Sequence, residues 1–481
     1  MLRFFREKAA YIGWGIVIFF VATMFTGGFF LGFGTNSEKN VKKENKEVFA
    51  SLGEYSVDVR RFNQILQNSL FQYQQKGGRL SPLYEEQILL NAFKATLEDQ
   101  VFHIAALQAD IQLNSQERKS AETEFILENN IKSKKELKRM LKERNIPYKI
   151  FSNDLEKQMI VRKYKNNVIA SVVVDDFVIE NSFKDFKLDM FLVKKEGGAP
   201  ETLQGISQEI FSDLFSLSQK DVIDKYQSIV TISFVKSDGF RSYTSFNHAL
   251  RSSLVSFKKN VYLEPICSEG ACFIPVVRDV KVNAKGEGYN EEKYAESLAG
   301  ELRVQRLQEV LLDVLERYPL SIYSPEIKAV YSKSIGEYSE ALTTYQQLLT
   351  ANPSRFDIHF FRAQIFHLLD QYAEALKELE KADLKSQLKV EYDFPELHVF
   401  YGDLLKKKST KEAVSQYDKA YELVQNDLDF LPLLQKRYEG IGHSKGVAQI
   451  DQRIAALEEE RQKQDAALQK ESENAGSVTP Q

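Results

Sequence analysis

Apolar positions recur along this chain in three patterns, and each predicts a different kind of element. The first is an unbroken run: from Ala9 to Gly34 the chain carries 26 residues without a charge. About 20 such residues, rising 1.5 Å each, cross the hydrocarbon of a bilayer, so the run predicts a membrane helix. It is longer than the apolar region of a cleaved signal peptide and holds no small-x-small cleavage site, so an uncleaved signal anchor is expected over 1–34. A buried soluble helix is the alternative. Tyr11 and Trp14 near one end suit an interfacial level. Charge counting does not orient the span, because Arg3, Arg6 and Lys8 are matched by Lys39, Lys42, Lys43 and Lys46. The short basic head is too small to do work, so the long part is expected on the exported side. Residues 35–47 are polar, mixed in charge, and read as a flexible tether.

The second pattern is helical. Residues 48–58 read as two short extended segments around Gly53-Glu54, after which Phe62, Ile65, Leu66, Leu70 and Tyr73 recur at helical spacing. Gly77-Gly78 breaks that helix, and Ser81-Pro82 opens another that runs to about Ala109. Ser115 caps a third, to about Asn129. Ser133-Lys-Lys-Glu136 forms a capping box for a fourth that stops before Pro147, and a fifth spans about Tyr148 to Asn167. Their apolar stripes are modest, so these helices are expected to pack on one another.

The third pattern is a repeat. Ala329 and Ala363, Tyr338 and Tyr372, Ala341 and Ala375, Tyr345 and Leu379, and Leu348 and Ala382 are each 34 residues apart. With Gly336-Glu-Tyr-Ser-Glu-Ala341 and a closing Pro353, the unit resembles the tetratricopeptide consensus. A third unit carries Gly402, Ala413, Tyr417 and Ala420, shifted by four extra residues around Glu391 to Pro395, and a degenerate fourth covers Leu433 to Leu457. The segment Glu292 to Tyr318 reads as a long helix that caps the stack. Small residues at 341, 375 and 413 let paired helices approach, and stacked pairs make a curved surface. The resemblance implies a concave face lined by Tyr323, Glu326, Val330, Lys333, Asp357, Phe360, Gln364 and His367. An ordinary helical bundle is the alternative. Residues 458–481 lose apolar periodicity and read as a frayed helix with a disordered tail.

Composition narrows the chemistry. A chain of 481 residues is too long for one core, and 43% hydrophobic residues against 27% charged argue for folded domains. Gly 23 and Pro 11 are together about 7% of the chain, below average usage, so helix is expected to dominate. The net charge of −4 offers nucleic acid no polybasic field. Phosphate-loop, zincin, serine-hydrolase and paired C-x-x-C motifs are missing, and the six histidines are scattered, so no catalytic residue, metal site or cofactor is assigned. His103 is read as a packed or surface residue, and the Lys132 to Arg144 run as a solvated face with attraction to anionic headgroups as the alternative. Cys267 and Cys272 flank a turn-like Ser-Glu-Gly-Ala, which fits either a hairpin disulfide or two buried free thiols. One C-x4-C pair without a nearby His cannot complete a zinc site.

A resemblance adds to this reading. Val48-x-Ala50-x-Leu52-Gly53-x-x-x-Val57, Leu97-x-x-Gln100 to Ala105, Ala109 to Ser115, Leu137, Leu141, Asn145-Ile146, Phe151 and Leu155-x-x-Gln158 occur in one order. That set resembles the N-terminal chaperone domain of SurA-type and PpiD-type parvulin proteins, and the head Met1-Leu-Arg-Phe-Phe-Arg-Glu-Lys8 is similar to the PpiD branch. The resemblance covers about residues 1–175. It implies a membrane-tethered helper that holds unfolded segments in an apolar helical cradle.

In that family a parvulin domain follows. Leu188 to Val193 resembles its first strand, Ile206 to Phe215 a helix and Gly270 to Ile274 the closing strand. Met190 and Cys272 stand where the resemblance places histidines, and the Gly-Gly-x-Leu-Gly turn is missing, with only Ser237-Asp-Gly-Phe240 near its place. A degenerate, non-catalytic parvulin-like module is therefore expected.

The expected architecture is mainly α with a smaller α+β middle domain. An anchor (1–34) and tether (35–47) precede a chaperone domain (48–171) and a degenerate parvulin-like domain (172–291). A tetratricopeptide solenoid (292–457) and a tail (458–481) follow. The expected function is a single-pass bacterial inner-membrane chaperone, its bulk in the periplasm, binding unfolded or newly exported proteins and no nucleic acid. The alternatives are a membrane-bound scaffold beside an envelope or secretion-channel complex, and an active prolyl isomerase.

Overall fold

Gly53 adopts a left-handed φ of 52°, which lets the chain reverse between Ala50–Leu52 (β1) and Tyr55–Ser56 (β2). A Cβ at Gly53 would meet the Tyr318 ring at 3.1 Å, and the Gly53 N–H donates to the Pro319 carbonyl at 3.0 Å. A strand at Leu320–Ile322 thus lies against β1, on the side away from β2. The computed structural model describes residues 48–75, 80–143, 146–194, 200–268, 271–286, 288–386 and 393–476. The expected membrane helix and tether lie outside them. Among the described residues no helix is long and apolar enough to cross a membrane.

Five helices follow the hairpin: Val59–Gln75 (α1), Pro82–Gln108 (α2), Ser115–Glu128 (α3), Lys134–Glu143 (α4) and Tyr148–Ala170 (α5). The cap of α3 is Asn114 rather than Ser115. Its side-chain oxygen accepts from the Glu117 N–H at 2.9 Å, and the Glu117 carboxylate accepts from the Asn114 N–H at 2.8 Å. Ser133 Oγ accepts from the Glu136 N–H at 3.2 Å and opens α4. Leu137, Met140 and Leu141 of α4 pack with Ile131 and Ile146 against Phe125 and Phe151.

The chain divides into two compact units. One holds the described residues up to Arg61 with Ala95–Ser321; the other holds Phe62–Lys94 with the described residues from Ile322 onward. This corrects the expected boundaries twice. Most of α1 and the first half of α2, expected in the chaperone domain, belong to the repeat unit. The long helix at Glu291–Arg317, expected to cap the repeats, packs along α5 of the first unit, with Val310 and Val314 buried. Apolar periodicity finds a helix but not which neighbour takes its apolar stripe.

Within the first unit, Asp176–Ser182 (α6) leads to Lys184–Lys194 (β3). Then come Pro200–Asp213 (α7), Gln219–Tyr226 (α8), Thr231–Val235 (β4), Arg241–Ser242 (β5), His248–Ser253 (α9), Ile266–Ser268 (β6) and Ala271–Val282 (β7). The antiparallel sheet has the order β4-β3-β7-β6, with β5 also on β3. Alternation along β3 sends Phe186 and Leu188 to one layer, with Tyr243, Phe246 and Leu254. Phe191 and Val193 go to the other, under Leu203, Ile210 and Val222 of the two helices.

Glu291–Arg317 is α10. The second unit then forms four helix hairpins: Pro325–Ser334 (α11) with Tyr338–Ala351 (α12), Phe356–Leu368 (α13) with Tyr372–Ser386 (α14), Pro395–Leu405 (α15) with Thr410–Val424 (α16), and Leu431–Glu439 (α17) with Ser444–Gly476 (α18). Ala341, Ala375 and Ala413 are fully buried where helices approach. Gly402 does the same for α15, since a Cβ there would sit 2.4 Å from the Tyr417 ring. Where a frayed helix and tail are expected from residue 458, the helix continues to Gly476, and residues 477–481 lie outside the described residues.

Candidate functional site

The residues expected to line a concave surface do not form one open face. Val330 is 7% exposed and Phe360 1%, so both are core side chains, Phe360 ringed by Phe361, Phe394 and Phe400. That corrects their assignment: their faces turn between helices, where burial is favoured over display. Tyr323 is 60% exposed ahead of α11. Asp357 holds Arg355 through two short contacts, Nε to Oδ1 at 2.9 Å and Nη2 to Oδ2 at 2.6 Å. Its carboxylate lifts the guanidinium pKa further above the ordinary range, with a smaller contribution from Glu326. His367 is separate, its ring edge-on to Tyr372 and Phe400.

Lys333 and Gln364 do meet, Nζ to Oε1 at 2.6 Å. The third partner is Glu86 of α2, whose Oε2 lies 2.8 Å from Lys333 Nζ and whose Oε1 accepts from the Tyr345 hydroxyl at 2.7 Å. The pair is nearly dry, and Lys333 also lies over the Phe361 ring at 4.9 Å. Burial, reinforced by the Glu86 charge, drives the Tyr345 pKa far above its usual range. The Glu85 carboxyl is pushed up by burial and then by Asp357, against the opposing pull of Arg355.

Neighbouring residues seat the same segment. Leu83 packs on the central repeat core, Ser81 Oγ donates to Glu396 at 3.0 Å, and the Phe93 ring meets Tyr331 edge-on at 5.4 Å. Tyr73 of α1 lies 4.9 Å from Tyr84, its own pKa pushed up to about 12 by burial and then by that neighbour. Of the polar side chains selected from the repeat, Lys333 therefore grips a helix of its own chain, with Gln364 behind it. Sequence reasoning missed Glu86, Ser81 and Glu396. Glu86 is one of two adjacent acids in the first turns of α2, and nothing in its spacing marks it.

Two buried polar clusters lie deeper in the repeats. His359 Nδ1 is 2.7 Å from Glu378 Oε2, and Lys381 and Arg362 approach the same carboxylate. Burial alone would raise the Glu378 pKa; the His359 hydrogen bond, Lys381 and Arg362 outweigh it and hold the group at about 2. His398 is fully buried between Gln416 Oε1 and Asp393 Oδ1, each at 2.7 Å. These contacts join the two helices of a hairpin.

In the sheet, Cys267 and Cys272 face one another across β6 and β7 and are joined by a disulfide. Cys272 is buried on the face of Phe191 and Val193. Met190 pairs with Pro275 and Val235, and by strand alternation it points to the opposite face. The two positions compared with histidines therefore cannot line one pocket. Beside Met190, Asp189 accepts from Arg278 Nε at 2.8 Å and from the Ser237 N–H at 3.0 Å. Burial would raise its pKa, but these two contacts hold it below the ordinary range. His248 lies outside the sheet, with its backbone N–H on Glu309 and its imidazole pKa lowered by burial and then by Arg306. His103 is likewise lowered by burial and then by Lys157. No group of three or more His, Cys, Asp or Glu able to hold a metal occurs among the described residues.

Several large apolar side chains of the first unit remain in water. Leu127 of α3 is 70% exposed and Leu312 of α10 is 64% exposed, with exposed Val304 about two turns before Leu312 on the same helix.

Residues 1–165 match a family model described as a SurA-like N-terminal domain. No curated protein is similar to the chain. Among solved structures, MamA residues 41 to the end from Desulfovibrio magneticus RS-1 is 14% identical, covering 35% of this chain and 93% of its own, with a TM-score of 0.24. A structure described as PEB4 and Cj1289, two SurA-like chaperones of Campylobacter jejuni, is 12% identical, covering 57% and 98%, at 0.22. The foldase protein PrsA of Lactococcus lactis is 9% identical, covering 60% and 98%, at 0.19.

Proposed function

We propose that this protein is a membrane-anchored extracytoplasmic chaperone that holds unfolded or newly exported proteins. The observation that carries the reading is the SurA-like N-terminal domain over residues 1–165, in a segment that also contains the 26-residue uncharged run. Leu127 within that segment, and Val304 and Leu312 on α10 of the same compact unit, are exposed apolar side chains available to extended client segments. Binding buries client apolar area and needs no nucleotide.

The middle sheet is proposed as a parvulin-like module without isomerase activity. A strand at 184–194, a helix at 200–213 that starts six residues before the expected one, and a strand at 271–282 support that reading. Met190 and the disulfide-bonded Cys272 offer no imidazole, and they face opposite sides. The helix hairpins are proposed as tetratricopeptide repeats, on their 34-residue spacing and buried alanines. Lys333, backed by Gln364, is engaged with Glu86 of α2 rather than held open for an outside partner.

Residues 36–481 are expected to suppress aggregation of an unfolded outer-membrane protein at near-stoichiometric ratio without nucleotide. No suppression at any ratio overturns the chaperone reading.

A further inference from the structure

Helix α4 carries a charge balance opposite to that of the chain. Between Lys132 and Glu143 stand six cationic side chains and two carboxylates, against a net charge of −4 overall. With Leu137, Met140 and Leu141 turned inward, a 100° step places Lys135, Lys138, Arg139 and Lys142 on one outward arc, all exposed. Lys134 is taken by Glu122 at 2.5 Å. Arg139 reaches Glu136 and Glu143 only at 3.7 and 3.6 Å, exposed contacts that bind it weakly. Lys138 lies over the Tyr148 ring, 4.7 Å from its centroid. Among the described residues, no carboxylate lies within ion-pair distance of Lys132, Lys135, Lys138 or Lys142.

We infer that this face of α4 docks on anionic lipid headgroups, whose phosphate oxygens accept from Lys135, Lys138 and Lys142, with Lys132 at the edge. The inference rests on the membrane-anchored reading above. Residues 35–47 fully extended reach no more than about 45 Å, which keeps a unit beginning at Val48 close to the bilayer and at high effective concentration. The chemistry favours lipid over an acidic protein. The outward arc holds flexible lysine point charges with no exposed apolar side chain among them, whereas a protein interface needs an apolar centre. Juxtaposed lysines each add to attraction by an anionic leaflet, and salt screens that attraction.

The test uses the full chain in nanodiscs of phosphatidylcholine alone or with one third phosphatidylglycerol, reading acylation of individual lysines by mass spectrometry. Flotation with neutral vesicles reads the anchor separately, so loss of the anchor and loss of docking are different results. Lys132, Lys135 and Lys142 are expected to react about five-fold more slowly in the anionic discs, reverting in high salt, while Lys220 and Lys258 are unchanged. In K135Q/K138Q/K142Q the protection of Lys132 is expected to disappear. Equal rates in the two bilayers, or equal protection of Lys220 and Lys258, overturn the inference. So does protection in neutral discs by an added polyglutamate peptide that exceeds the effect of the anionic lipid, which assigns the face to a protein partner.

Discussion

Glu86 spends both carboxylate oxygens inside the repeat unit, one on Lys333 and one on the Tyr345 hydroxyl. Removing it leaves a buried ammonium and a buried hydroxyl without that acceptor. Glu86→Ala is therefore expected to cost about 3–5 kcal/mol of stability, measured by urea unfolding. Glu86→Leu combined with Lys333→Met should recover most of the loss, because no lone charge remains. Glu378 supplies a pH dependence. Its folded pKa of about 2 lies below its ordinary 4.5, so its stabilisation is complete above about 4.5 and is lost as pH falls toward 2. Glu378→Gln should cost about 3 kcal/mol at pH 7 and almost nothing at pH 2, flattening the acid limb of a stability curve. A variant whose loss is the same at both pH values contradicts this account.

At the scale of elements, what the chain's pattern reveals is local. The hairpin around Gly53, the proline start of α2 and the helix pairs spaced by 34 residues were legible because glycine, capping groups and small residues act within a few positions of themselves. The cap at Asn114 was displaced by one residue because Asn and Ser compete for the same role. The helix at Glu291–Arg317 was legible as a helix and misassigned as a repeat cap, since its partner α5 lies more than a hundred residues earlier. The concave face differs from expectation for a related reason: repeat spacing identifies Lys333 on α11 and Gln364 on α13 but carries no information about Glu86 reaching Lys333. Close approach also gives a prediction. Gly402→Ala places a Cβ 2.4 Å from the Tyr417 ring and should lower stability by about 1–3 kcal/mol in thermal unfolding, more than the same change at open Gly300.

At the scale of the whole molecule, the chain forms two compact units: the first holds the sheet and most of the N-terminal helices, and the second is a repeat stack that includes Phe62–Lys94. A protease-coupled proline-peptide assay should give a flat trace, unaltered by Met190→Ala. Turnover abolished by that substitution would revive the isomerase reading. The central claim is that the surface accepts many unfolded partners. A photoreactive amino acid at Leu127 or Leu312 of the full chain in growing cells tests it most directly. The account predicts a broad ladder of adducts with different newly exported proteins, fading when export is blocked. One or two adducts of constant amount, unchanged by that block, would contradict it and favour a fixed scaffold.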